Sequence, residues 1–160
     1  MTRIFVYGTL MEGERNHEKY LGHLKPIATG VTLHGWYFMK EFNSVSTDGE
    51  FSPRVYKTKD EPGFHVKGEI YEVDDSTLAR LDELEKKGIE HDRITAKVKP
   101  LGASVEVFDV QMYVHTGYRQ PHDGSAQFIH MDNLTNTVWW DQYRSTANKE
   151  SVAVLTSEIA

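Results

Sequence analysis

A chain of 160 residues with a formal net charge of -6 is long enough for one domain with its own core, and no Pro/Gly/Ser-rich linker divides it. The acidic balance and the lack of a long Lys/Arg run argue against a nucleic-acid or anionic-membrane partner, because phosphate binding needs a cationic patch. The absence of cysteine excludes disulfides, thiolate nucleophiles and cysteine-ligated zinc; with no basic-then-apolar leader and no membrane-length apolar run, the expectation is a cytoplasmic protein whose partner is a small molecule or another protein.

In chain order, the first predicted strand is Arg3–Tyr7, an apolar run that stops at Gly8 in Tyr7-Gly8-Thr9-Leu10. A weaker helix is expected between Arg15 and Leu24, with Asn16 and His17 at its start, where capping is the simplest role for them. Strands follow at Val31–Met39, Pro53–Lys57 and His65–Val73, separated by predicted loops at Phe42–Phe51 and Thr58–Phe64. Pro53 has no N–H to give a ladder, so it belongs at a strand start or edge. Asp74-Asp75-Ser76 supplies N-cap residues for a helix over Thr77–Lys87, and Gly88 fits the left-handed position that ends it. Two more strands, Arg93–Lys99 and Val105–His115, complete a β-rich α+β pattern. Past Arg119 the chain turns polar, with a third helix expected around Leu134–Tyr143 and a Trp139-Trp140 pair that packs on the body or on a second subunit.

One residue breaks the helix pattern. At about 100° per residue, Leu78, Leu81 and Leu84 define an apolar face, and Glu85 falls only about 40° from its centre, whereas Asp82 and Glu83 lie on the flank and the solvent side. A carboxylate aimed at the core is costly unless paired, and desolvation raises its pKa toward neutrality, where it can act as a general base. The plainer account is a structural ion pair with a lysine or with an arginine such as Arg93. At the other end, a strand running into Gly8 lets turn amides approach a ligand closely, and such amide clusters hold anions.

The segments Phe5-Val6-Tyr7-Gly8-Thr9-Leu10, Gly13-x-x-Asn16-His17 and Val66–Asp74, leading into Leu81-Asp82-Glu83-Leu84-Glu85, resemble the gamma-glutamylcyclotransferase-like superfamily, most of all its gamma-glutamylamine cyclotransferase branch. The likeness runs from about Arg3 to about His115. It implies a small mixed β-barrel of about six strands flanked by helices in a domain over residues 1–118; the polar composition beyond it marks an extension, 119–160, expected to pack on the body or on a partner subunit of a homodimer. It also implies that Tyr7, Gly8, Thr9 and Leu10 grip a glutamyl group, that Tyr113 lines the pocket, and that Glu85 is the acid/base. Two departures bear on substrate choice: Met11-Glu12 precedes Gly13 where relatives often carry a basic residue, and His91 stands where a tyrosine is common.

The reaction implied is cyclisation. The α-amine of a gamma-glutamyl group attacks its own side-chain carbonyl, giving 5-oxoproline and releasing an amine, with no cofactor and no metal. Three other readings compete. One is a binding module that keeps the cavity without turnover, and another is an interaction protein working through Trp139-Trp140. The third is a metal enzyme built on His115, His122 and His130 with Asp123 or Asp132, whose spacing lacks the tight pairing of a strong ligand motif.

Overall fold

The run Ile4-Phe5-Val6 is apolar on both alternating faces, and the reason is visible in a computed structural model, which describes residues 1–44, 50–58, 62–102, 106–116 and 128–141. Strand β1 (Thr2–Val6) is covered on both sides. Phe5 belongs to one hydrophobic cluster with Ile70, Val98, Val110 and Met112, while Ile4 and Val6 belong to a second with Tyr71, Leu81, Tyr113 and Trp140. The first cluster fills a closed sheet. The second lies between that sheet and the helices.

The closed sheet has five strands in the order β1, β7 (Phe108–His115), β6 (His91–Pro100), β2 (Ala28–Thr32) and β5 (His65–Val73), and β5 pairs back onto β1. Only the β1–β7 pairing within this ring is parallel. The expected small mixed barrel is therefore present, closed by five strands with further strands added outside the ring. The remaining strands are a hairpin, β3 (Tyr37–Ser44) with β4 (Glu50–Lys57), and a second hairpin, β8 (Ile129–Asp132) with β9 (Thr137–Trp140), whose β9 adds parallel to β5. Gly30 and Gly68 face each other across β2 and β5, and a β-carbon on Gly68 would overlap the Val6 carbonyl oxygen and lie 2.8 Å from the Phe5 ring. Glycine is needed there because the strands coil too tightly to leave room for a side chain.

Helix α2 (Asp75–Leu84) begins as expected, with Asp74 accepting the Thr77 amide at 2.7 Å. Its Leu81 is fully buried against the barrel, a contribution of roughly 1.5–3 kcal/mol; Leu78 and Leu84 are half-buried against the same cluster. The helix stops three residues before Lys87, because Lys86 and Gly88 both turn to positive φ. Glu85 is thus the C-cap residue. Helix α1 (His17–Leu21) is a shorter version of the one expected over Arg15–Leu24. No helix among the described residues is long and apolar enough to cross a membrane.

Several sequence expectations are corrected. The single strand over Val31–Met39 is two strands, broken at Leu33–Trp36, where the Thr32 hydroxyl donates to the His34 carbonyl. Much of the Phe42–Phe51 loop belongs to β3 and β4, and Pro53 sits inside β4, tolerated because a two-stranded ribbon leaves each strand a free edge; residues 45–49 lie outside the described set. The helix expected around Leu134–Tyr143 is the β8–β9 hairpin: Asn136 at φ 53° makes the turn, and Thr137-Val138-Trp139-Trp140 suits a pleated surface better than a helix. Tyr143 lies outside the described residues. Trp140 is 1% exposed and donates its indole N–H to Glu14 Oε1 at 2.9 Å, whereas Trp139 is half-buried and stacks on His130.

Trp140 makes the contribution of this hairpin measurable. Trp140→Ala should destabilise the protein by about 3–5 kcal/mol in urea unfolding, as a large core truncation does. If residues 119–160 were dispensable to the fold, that loss would be under about 1 kcal/mol, the size of an ordinary surface change.

Candidate active site

The turn that follows β1 is held from behind. Asn16 occupies the N-cap position of α1 but makes no cap bond with its side chain; it spends its amide on the Thr9 hydroxyl at 2.9 Å, and its backbone N–H donates to the Thr9 carbonyl. His17 Nδ1 bonds the Leu10 carbonyl at 3.0 Å, and the Leu10 side chain is buried in the outer cluster. On the front, Gly8 lies so close to Pro53 of β4 that a β-carbon would be 2.6 Å from the proline ring. With its carbonyls and side chains engaged, the turn leaves its donors: the amides of Gly8, Thr9 and Leu10 reach no acceptor among the described residues. Such a row of amides suits an anion.

Tyr7, one residue before the turn, points into the barrel cluster. Its hydroxyl donates to the Tyr113 carbonyl at 2.7 Å, with the Val55 backbone close by. Burial, with the Glu85 charge adding to it, holds the phenol far above its ordinary range, so Tyr7 is a fixed donor and not a base. Tyr113 reaches this group through its backbone; its own hydroxyl donates to Asp82 Oδ1 at 2.6 Å, beside Arg93, whose Nε lies 3.5 Å from the same oxygen. Arg93 is therefore the partner of Asp82, which is half-buried, in keeping with its position on the flank of the helix.

Glu85 sits where the helix ends. Its side chain is 22% exposed. Burial, reinforced by nearby Glu90 and opposed by Arg54, pushes its carboxyl from the ordinary 4.5 to about 7. His91 Nδ1 donates to the Glu85 carbonyl oxygen at 2.9 Å, closing the helix C-terminus, and lies 3.5 Å from Oε2 of the same residue. Burial drives the imidazole toward its neutral form as it drives the carboxyl, so near neutral pH this contact is not a full ion pair. Neither Arg93 nor a lysine bridges Glu85 among the described residues. The structural-pair account of Glu85 accordingly loses its named partner.

Four neighbours stand near this carboxyl: Arg54 and Tyr56, which the sequence did not single out, His91, noted only as a departure from relatives, and His115, considered only as a metal ligand. His91 and His115 face each other across β6 and β7 with ring centroids 5.3 Å apart, and Tyr56 packs 5.0 Å from His115. Arg54, on β4, donates to His115 Nε2 at 3.0 Å and lies 3.6 Å over the Phe42 ring. Their only sequence signal is strand alternation, which cannot tell which rim residues meet. The histidines and Asp132 of the suggested metal set are dispersed: His130 pairs with Asp141 at 2.7 Å, Asp132 accepts the Leu134 amide, and His122 and Asp123 lie outside the described residues. Among the described residues no group of three or more such ligands comes together.

The model of the family described as gamma-glutamyl cyclotransferase, AIG2-like, matches residues 4–135. Mouse gamma-glutamylaminecyclotransferase is 33% identical over 119 residues, which is 72% of this chain and 78% of that protein. A protein of Methanocaldococcus jannaschii, provisionally named a gamma-glutamylcyclotransferase, is 40% identical over 85 residues, 53% of this chain; the match spans 62% of that relative's own length. The crystal structure of a mouse AIG2-like protein superposes with a TM-score of 0.59 at 27% identity, covering 79% of this chain and 88% of that one. The barrel closed on β1, and a family match that reaches from that strand into the β8–β9 hairpin, lead to one assignment: this chain belongs to the gamma-glutamyl cyclotransferase, AIG2-like family.

Proposed function

We propose that the chain cyclises a gamma-glutamyl amide, releasing an amine and 5-oxoproline, with Glu85 moving the protons. The observation that carries this reading is a largely buried carboxyl poised at about 7 within electrostatic reach of the Tyr7 hydroxyl, one residue from the open amides of the turn. The Glu85 carboxylate takes a proton from the substrate α-ammonium. The freed amine attacks the side-chain carbonyl carbon and a C–N bond forms; Glu85 gives its proton to the leaving nitrogen as that bond breaks, then takes the second proton from the ring nitrogen and passes it to the departing amine, which leaves as the ammonium. No electrons are gained or lost, so the step as written needs no redox cofactor. A carboxyl near neutrality can accept and donate in turn, which is why one residue is enough.

In this reading the Gly8, Thr9 and Leu10 amides hold the glutamyl α-carboxylate, and Tyr7, held by the Tyr113 carbonyl, braces the wall beside the reacting carbon. Curling the substrate so that its own nucleophile meets its own electrophile recovers much of the advantage of an intramolecular reaction. The division of the chain into a catalytic body, 1–118, and an extension, 119–160, belongs to the same proposal.

Glu85→Gln keeps the side-chain length and removes its basicity. Turnover of a gamma-glutamyl amide should fall by roughly 10²–10⁴-fold while ligand binding survives, and Glu83→Gln on the exposed side of the helix should change neither. 5-Oxoproline release, followed by mass spectrometry, reads this directly; wild-type binding without release would point instead to a non-catalytic module.

The same carboxyl predicts a pH dependence. For wild type, kcat/KM should fall about tenfold per pH unit as the pH drops below about 7, because the active carboxylate is lost. Stability runs the other way. Glu85 binds its proton more tightly folded than unfolded, so its favourable contribution is complete below about 4.5 and is lost as the pH rises through about 7. Glu85→Gln should therefore be more stable than wild type at pH 8, by on the order of 2 kcal/mol, with the gap closing below pH 4.5 in chemical denaturation.

A further inference from the structure

Among the described residues, the cation at this site has no carboxylate within ion-pair distance. Arg54 is half-buried, yet its guanidinium makes no ion pair with any carboxylate among the described residues, in a chain whose net charge is -6. It is nonetheless held in place, stacked on the Phe42 ring and bonded to His115 Nε2, a contact that uses one of its five N–H donors. Its charge reaches Glu85, His91 and His115 alike. Burying part of a guanidinium without a counter-charge is unfavourable, and a bound anion would remove that cost.

Strand alternation separates this cation from the turn. Pro53 and Val55, the residues flanking Arg54 on β4, contact Gly8 and Tyr7, so the Arg54 side chain leaves the strand on the opposite face, toward His115. The site thus offers two anion-receptive groups on either side of β4: the turn amides and the guanidinium. A gamma-glutamyl alkylamine has one carboxylate. A gamma-glutamyl amino acid has two, the second on the leaving group. The residue before the loop glycine, Glu12, supplies no positive charge and is itself paired with Lys25 at 3.3 Å, so the cation comes from β4.

We infer that Arg54 selects substrates whose leaving amine carries a carboxylate, making gamma-glutamyl amino acids, and not neutral gamma-glutamyl alkylamines, the preferred class. This rests on the ring-closure reading above. The histidines beside Arg54 are held neutral, His115 by burial and by Arg54 itself, so the guanidinium is the group that supplies the charge.

The test compares gamma-glutamyl-alanine with gamma-glutamyl-ethylamide, which differ only in the leaving-group carboxylate. Wild type should favour the alanine compound by roughly 10–100-fold in kcat/KM, the worth of a charge-assisted hydrogen bond. Arg54→Gln should collapse that ratio toward one through a raised KM for gamma-glutamyl-alanine, and Arg54→Lys should restore part of it. Equal use of both compounds by wild type, or an equal loss on both in Arg54→Gln, overturns the inference; the second result would put Arg54 on the glutamyl group. Calorimetric binding of the same two compounds gives the ratio independently of turnover. If neither compound yields 5-oxoproline but Arg54→Gln still loses affinity for the alanine compound alone, the ring-closure reading fails while the recognition stands.

Discussion

Five residues, Thr2 to Val6, hold the barrel shut by pairing antiparallel with β5 on one side and parallel with β7 on the other. The rest of the site hangs from that closure. Because β1 is buried on both faces, its register cannot slip without exposing Phe5 or Ile4, so the chain leaves the barrel at Tyr7 with a fixed direction and depth. The parallel pairing with β7 sets the Tyr113 carbonyl against the Tyr7 hydroxyl, and the antiparallel pairing of β7 with β6 sets His115 against His91. The outer face of the same strand supplies the apolar bed on which Leu81 docks, and docking Leu81 is what carries Glu85 to the rim.

At the rim the proposed chemistry rests on incomplete satisfaction. Glu85 is largely desolvated, has a like charge nearby in Glu90, and among the described residues its carboxylate meets a near-neutral imidazole while Arg54 acts on it through charge. Packed this way, the carboxyl is less stable ionised than it would be in water, and that is the condition for proton exchange near neutral pH. Asp82, one turn earlier on the same helix, is the counter-example. Arg93 and the Tyr113 hydroxyl surround it, so it serves as an anchor for the helix.

Helical periodicity alone separated these two carboxylates by face, because a 3.6-residue repeat fixes which side chains look inward from local sequence. The same local logic located β5, the Asp74 cap and the turn at Gly8. It could not locate Arg54, whose place depends on a hairpin packing β4 against β7, or the meeting of His91 with His115, which depends on strand register between segments far apart in sequence. It misjudged Thr137–Trp140 because a short amphipathic stretch fits either period, and the deciding features were pairing with β5 and the indole contact to Glu14. Asn16 was read as a cap from its position; its side chain instead clasps Thr9, a contact between two loops that helix rules do not address.

The account stands or falls on the state of one carboxyl. A carbon-13 titration of the Glu85 side-chain carboxyl by NMR, run with and without 5-oxoproline, reads both its proton affinity and its location. The account predicts a midpoint near pH 7 that moves when 5-oxoproline is added. A midpoint near 4.5, unmoved by 5-oxoproline, would make Glu85 an ordinary surface carboxylate and contradict it.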